Sequence, residues 1–374
     1  TALEGAGVPI FILAYPDELD KMKFHQRRDS FCGKFSIMDV FYQYQIPFTA
    51  FPPHTVHPNS QTFEEQINTF DMVCRIVKGM RKMTVGALGA RTTAFKTVRY
   101  DELALQKYGI TTEVLDMSEI FRRVRKLDLN SEAAKSKAGK LKSYTSFDKV
   151  PDSAFENLVR FGVVIDEIIA EYELDALAIR CWLEMEMEFG VAPCVLLSEL
   201  NDRGFPAACE LDICNAISMY ALHLATGKPT TCLDWNNNYA NEDNKCILFH
   251  CGPVPQDMMT TTGYIADHAI LANTVGKGCS YGCNQGRIKP GPFSFGNLIT
   301  DAGKLKFYLG EATFTTDKIP ADFFGCAGVA EFPDLQQTLL TIGLEGHRHH
   351  TAVTPGQVMA PVKDAFETYL NYSV

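Results

Sequence analysis

Apolar and polar positions follow two different rhythms along this chain. Up to about residue 227, short apolar runs alternate with longer stretches at helical spacing. Val8 to Tyr15 is an apolar run closed by Pro16-Asp17, and Ile46 to Phe51 is a second; both predict buried strands. Phe63, Ile67, Phe70, Val73, Val77 and Met80 recur every three or four residues, the mark of an amphipathic helix. Met83-Thr84-Val85-Gly86 opens a strand that runs into Leu88-Gly89-Ala90-Arg91. A helix over about 101–108 ends at Gly109, and Thr111 to Leu115 returns as a strand. A further helix over about 153–172 carries Phe155, Leu158, Phe161, Ile165 and Ile168 on one face. A strand over 175–180 then leads to Cys181-Trp182-Leu183-Glu184. Glu184, Glu186 and Glu188 alternate with methionine and predict the surface ladder of a helix. Strand, helix and strand in this order predict a doubly wound α/β layout.

The texture then changes. Ala207-Ala208-Cys209 reads as a short buried strand ending on Glu210, and Asp212 is placed to cap the helix that runs to about Thr226 and stops at Gly227. Thr230 to Leu233 reads as a strand ending on Asp234. After an Asn-rich polar loop, Cys246 to Phe249 reads as a strand that delivers His250. Beyond residue 228 segments shorten and Gly, Pro and Thr rise. Residues 286–292 and 303–311 read as hairpins, and a last helix from about Pro355 packs Val358, Val362 and Phe366. The expected organisation is an α/β domain over 1–227 followed by a β-rich, barrel-like domain over 228–374. The site is expected at their junction, because Glu210 precedes the change and Asp234 and His350 follow it.

Composition narrows the chemistry. A chain of 374 residues has room for two or three domains and a large core. Its formal charge of −10 disfavours nucleic acid as a partner. The basic stretch 120–146 lacks core anchors and reads as a solvated helix plus loop. No apolar run approaches a membrane span, no signal peptide is visible, and the 12 cysteines lack zinc or secreted-domain spacing. Free thiols in the cytoplasm are the reading. Gly86, Gly89, Ala90 and Arg91 form a tight strand exit, without the glycine pattern of a nucleotide loop.

Glu210, Asp234 and His250 each sit at the exit of an apolar strand, where open α/β sheets gather their chemistry. Oxygen donors with an imidazole suit Mn²⁺ or Mg²⁺ better than a thiolate zinc site. Taken alone, Gly346-His347-Arg348-His349-His350 is a polar loop.

Gly204…Ala208-Cys209-Glu210-x-Asp212, Asp234, His250-Cys251-Gly252 and His349-His350-Thr351 resemble the catalytic half of the L-fucose isomerase and L-arabinose isomerase family, over most of the chain from about Val8. The 24-residue step from Glu210 to Asp234 is similar to that of the fucose branch. The resemblance implies a metal-dependent aldose–ketose isomerase acting on a free sugar such as L-fucose or D-/L-arabinose through an enediol. It implies Mn²⁺, or Mg²⁺, bound by Glu210, Asp234 and His350, with His349 the adjacent alternative. Glu210 and Asp234 are then the proton-transferring pair. His250 becomes a neighbouring or substrate-contacting group, although the arabinose branch uses a histidine there as a ligand, and Trp182 lies in a segment lining the cleft. A homo-oligomer, trimer or hexamer, is implied too, and the chain is expected to lack the further α/β domain that full-length members carry ahead of this region. Two other readings stand beside it: a noncatalytic sugar-binding or regulatory protein on the same scaffold, and a metallohydrolase.

Overall fold

The computed structural model describes residues 2–374. Its first sheet is parallel. It contains β1 (Met83–Leu88), β2 (Ile110–Leu115), β3 (Ala176–Ile179) and β4 (Ala207–Ala208), in the order β2-β1-β3-β4. β1, β3 and β4 are apolar along most of their length because helices cover both faces, while the edge strand β2 is half polar and partly exposed. One face meets the helix Asp152–Glu171 and the helix Cys194–Asp202; the other meets the helix Gln61–Met80 and the helix Ile213–Thr226. The strand order reverses between β1 and β3. Chains leaving their carboxyl ends diverge there and open the crevice typical of such sheets.

The second half supplies β5 (Thr231–Tyr239), β6 (Glu242–His250), β7 (Tyr264–Asp267), β8 (Tyr281–Arg287), β9 (Gly291–Asp301), β10 (Lys304–Phe314), β11 (Cys326–Glu331) and β12 (His350–Pro355). Six of these close on themselves. Antiparallel pairing runs β10-β9-β12-β5-β6-β11, and β11 returns to β10. β8 adds to β11 in parallel and β7 follows it. Leu233, Leu248, Phe293, Phe295, Phe314 and Val353 fill the ring. Closure removes the exposed edges that six such strands would otherwise present. The helix Ile213–Thr226 packs on the parallel sheet on one side and on β9 and β12 on the other, so one buried helix ties the two sheets together.

Several expected elements differ. Val8–Tyr15 and Ile46–Phe51 form no strands, only isolated bridges such as Phe11 to Thr49 over the small cluster Ile12, Phe41 and Ile46. Pro9, Pro16, Pro47, Pro52 and Pro53 remove the amide donors that a continuing ladder needs. The basic stretch is two helices, Met117–Lys126 and Glu132–Tyr144. Ile120, Phe121, Val124 and Leu141 are buried, and so is Lys137, whose ammonium meets Asp166 at 2.6 Å and Glu199 at 3.2 Å. Glu184 pairs with Arg180 and Glu188 with Arg125, but Glu186 between them is 1% exposed, with both carboxylate oxygens unpartnered. The Asn-rich segment after Asp234 is not a loop. It extends β5 to Tyr239 and turns tightly into β6, so Asp234 lies within a strand rather than at its end.

Candidate metal centre

Glu210 reaches the centre through a strained turn. β4 stops at Ala208, and Glu210 and Leu211 both take φ of +59°, a left-handed conformation that costs an L-residue roughly 1–2 kcal/mol. The turn is held by Leu211 N–H donating to Ile179 O at 3.0 Å and Asp212 N–H to Cys209 O at 3.0 Å. Strain of this kind persists where surroundings over-determine it, and it collects at functional sites. Asp234 and His350 arrive differently. They are directly paired residues on β5 and β12, so their side chains leave the ring on the same side. His349 precedes the strand, which frees its ring from strand alternation and lets it join the same group.

The atoms converge. His350 Nε2 lies 3.4 Å from Glu210 Oε2 and 3.4 Å from Asp234 Oδ1, while His349 Nε2 stands at 3.8 and 3.9 Å from the same oxygens. Glu210 Oε2, Asp234 Oδ1, His350 Nε2 and His250 Nε2 are all buried without a hydrogen-bond partner among the described residues. Three of these, Glu210 Oε2, Asp234 Oδ1 and His350 Nε2, are acceptors facing one point, which is what a cation site offers, since buried acceptors lose hydration with no return unless a cation meets them. The donor atoms of Glu210, His349 and His350 fall within 4.8 Å of one another. The set is two carboxylates and imidazole, so it fits a hard or borderline divalent ion.

Asp212 was legible only as a helix cap. It does cap, accepting from Asn215 N–H at 3.1 Å, but its second oxygen takes the Nδ1–H of His350 at 2.9 Å. Arg348, from what read as a polar loop, pairs with Asp212 and with the carbonyl of Arg99. A carboxylate behind an imidazole fixes the ring and raises its basicity. Burial pushes the Asp212 carboxyl up, but Arg348 and His350 outweigh it and hold it at about 2. Burial likewise raises Glu210, and the His349 and His350 imidazoles pull it down to about 2. Asp234 goes the other way, its burial outweighing His250 and His350. Asn297 and Tyr308 donate to the His350 carbonyl at 2.9 and 3.2 Å and fix the backbone there.

An aromatic wall closes one side. Phe95, in the chain leaving β1, stacks on His349 at 6.3 Å and meets Trp182, in the chain leaving β3, edge-on at 5.4 Å. Phe95 carried no signal of its own in the sequence. The switch between β1 and β3 places it, because loops leaving those two strands flank the crevice. Trp182 lies on this wall.

The chain matches two family models. The one described as "Fucose/sulfoquinovose isomerase, N-terminal domain" covers residues 1–81, so sequence of that kind is present there. "L-fucose isomerase, C-terminal domain" covers residues 248–374, and the two together take in more than half the chain. Sulfoquinovose isomerase of Priestia aryabhattai is 28% identical over 227 residues, 60% of this chain and 50% of the relative. That of Alkalicoccus urumqiensis is 28% identical over 199 residues, 52% and 44%. That of Clostridium sp. (strain MSTE9) is 24% identical over 196 residues, 52% and 43%. The chain thus spans about half the length of the curated relatives it matches.

Proposed function

Because the chain belongs to the fucose/sulfoquinovose isomerase family, we propose that it is a metal-dependent aldose–ketose isomerase whose centre is Glu210, Asp234 and His350. The observation that carries this reading is the convergence of Glu210 Oε2, Asp234 Oδ1 and His350 Nε2, each buried and unpartnered. His350 is preferred to His349 as the nitrogen ligand. It is the nearer of the two, it is fully buried, and Asp212 orients it. Mn²⁺, or Mg²⁺, is the ion proposed. When bound, it supplies Lewis-acid polarisation of the sugar's carbonyl and accommodates the negative charge that builds there.

The protein's own groups move the protons. Isomerisation takes a proton from C2 of the aldose and returns one to C1, while a second passes between O1 and O2. Glu210 and Asp234 face one point from two different elements, so one carboxylate can take the carbon proton while the other serves the oxygen. The Phe95–Trp182 wall gives a sugar's apolar C–H face a surface to lie on and excludes water from the reacting carbons.

The similarity to sulfoquinovose isomerases makes sulfoquinovose the first substrate to test. L-Fucose and D- and L-arabinose are next, on the resemblance to the fucose and arabinose branches. A homo-oligomer, trimer or hexamer, belongs to the proposal as well, and light scattering tests it. The convergence of two carboxylates, Glu210 and Asp234, on one buried point favours acid–base chemistry over a noncatalytic scaffold. The deciding experiment incubates protein loaded with Mn²⁺ or Mg²⁺ with each of these aldoses and measures ketose formation. Conversion of at least one sugar, abolished by chelation, is expected; no conversion across the panel overturns the reading.

A further inference from the structure

The two buried imidazoles beside the carboxylates are held in opposite tautomers. In His350, Nδ1 lies 2.9 Å from Asp212 Oδ2. An ionised carboxylate only accepts, so Nδ1 carries the proton and Nε2 keeps its lone pair. That lone pair faces Glu210 and Asp234, the arrangement of a ligand. In His250 the order is reversed. The backbone N–H of Cys251 donates to Nδ1 at 2.9 Å, and an amide N–H can only donate. Nδ1 must therefore hold its lone pair toward Cys251, and the proton of the neutral ring sits on Nε2. The amide that sets this tautomer is itself fixed. Gly252 follows at φ +137°, and a Cβ there would meet the backbone of Asn284 and the side chain of Cys194.

Among the described residues His250 Nε2 has no hydrogen-bond partner, and His250 is 1% exposed. Its ring stands 5.5 Å from that of His350, and the donor atoms of Cys232, His250 and His350 lie within 4.8 Å of one another. The Cys232 sulfur beside it is only a weak acceptor, so an N–H in this state calls for a stronger one. A cation cannot be one; a sugar oxygen can.

We propose that His250 donates its Nε2–H to a hydroxyl or carbonyl oxygen of the aldose held at the Glu210–Asp234–His350 centre, and is not a ligand of the cation. This rests on the isomerase reading of that centre. It also separates two roles that the sequence left open, since a histidine here serves as a ligand in the arabinose branch.

The test begins with ¹⁵N-histidine-labelled, metal-free protein. In a two-bond ¹⁵N–¹H spectrum the His250 pattern, assigned by its loss in His250→Gln, should be that of the Nε2-protonated ring; an Nδ1-protonated pattern overturns the proposal. Titration with L-fucitol or arabinitol, which bind without turnover, should move the Nε2–H resonance. A resonance that stays put once the alditol is bound overturns the donor role. His250→Gln and His250→Leu should bind Mn²⁺ within about twofold of the wild type, whereas a tenfold or greater loss in both folded variants makes His250 a ligand. With an aldose that turns over, His250→Leu should lower kcat/KM by about 10²-fold, the range for losing one aligned donor. His250→Gln, whose amide can still donate, should recover much of it; equal losses in the two overturn the donor role. If the wild type converts no aldose, the isomerase reading fails, and the spectra, alditol titration and metal binding still decide the role of His250.

Discussion

Glu210 and Asp234 carry two duties in the proposed centre, holding the cation and moving protons, and substitution can separate them. Glu210→Gln keeps the size of the side chain and one ligand oxygen but cannot accept a carbon proton. It should fold, keep part of its Mn²⁺ affinity and lose at least about 10²-fold in turnover. Asp234→Glu should keep the metal but lose rate through misplacement by a methylene. Ketose formation, metal content and thermal melts on both variants check this. A bare structural role would instead lower the melting temperature and spare turnover.

Glu186 offers a residue-scale prediction away from the centre. Both its oxygens are buried and unpartnered, and burial, with Glu184 and Cys251 nearby, raises its carboxyl to about 8. Its folded value lies above the unfolded one of about 4.5, so the folded state holds a proton that the unfolded state releases across that interval. Stability should therefore fall as pH rises from about 4.5 to 8, at up to roughly 1.4 kcal/mol per unit for this group. Glu186→Gln should flatten that slope, matching the wild type near pH 4 and exceeding it by a few kcal/mol, in order of magnitude, at pH 8. Urea unfolding at the two pH values measures it; parallel curves would show that the carboxyl finds a partner in solution.

At the scale of elements, the basic stretch teaches the most. Its helices looked solvated because charge outnumbers apolar residues, yet Lys137 is 4% exposed and is the hub for Asp166 on the helix Asp152–Glu171 and Glu199 on the helix Cys194–Asp202. Three helices are thus joined by one buried ammonium. Lys137→Met should cost about 3 kcal/mol by leaving Glu199 with only the longer contact to Arg203 at 3.6 Å. Adding Glu199→Gln to Lys137→Met should restore most of that loss, because neutral groups of similar size no longer strand a charge. Chemical denaturation of the single and double variants forms the check.

At the scale of the whole molecule, the centre is assembled from both sheets: Glu210 follows β4, and Asp234 and His350 sit on β5 and β12. A cation bound there would link them only in the folded state. Mn²⁺ at about 100 times its dissociation constant should stabilise the protein by roughly 2.7 kcal/mol. The expected outcome is a melting temperature that rises with Mn²⁺, falls with chelator, and loses this dependence in His350→Gln. Calorimetry at fixed protein concentration measures it, and a metal-independent melt in the wild type would contradict the proposed site.

The sequence by itself determined whatever depends on near neighbours in the chain. The helix Gln61–Met80, strands β1 to β3, the Asp212 cap and the stop at Gly227 follow from periodicity, capping chemistry and a left-handed glycine, all of which act within a few residues. Glu210, Asp234, His349 and His350 could be named because their residue types and motif survive without coordinates. Only tertiary structure decided the rest. Ring closure of six strands pairs residues far apart in the chain and sets Asp234 against His350. The β1/β3 reversal brings Phe95 to Trp182, and the fold buries Lys137 and Glu186 among helices whose own sequences are polar. The tautomers of His250 and His350 belong here too. That of His350 is set by Asp212, 138 positions away, and that of His250 by the backbone N–H of Cys251, whose thiol also lies 3.2 Å from the same nitrogen; bond direction is a property of geometry that residue identity alone does not carry.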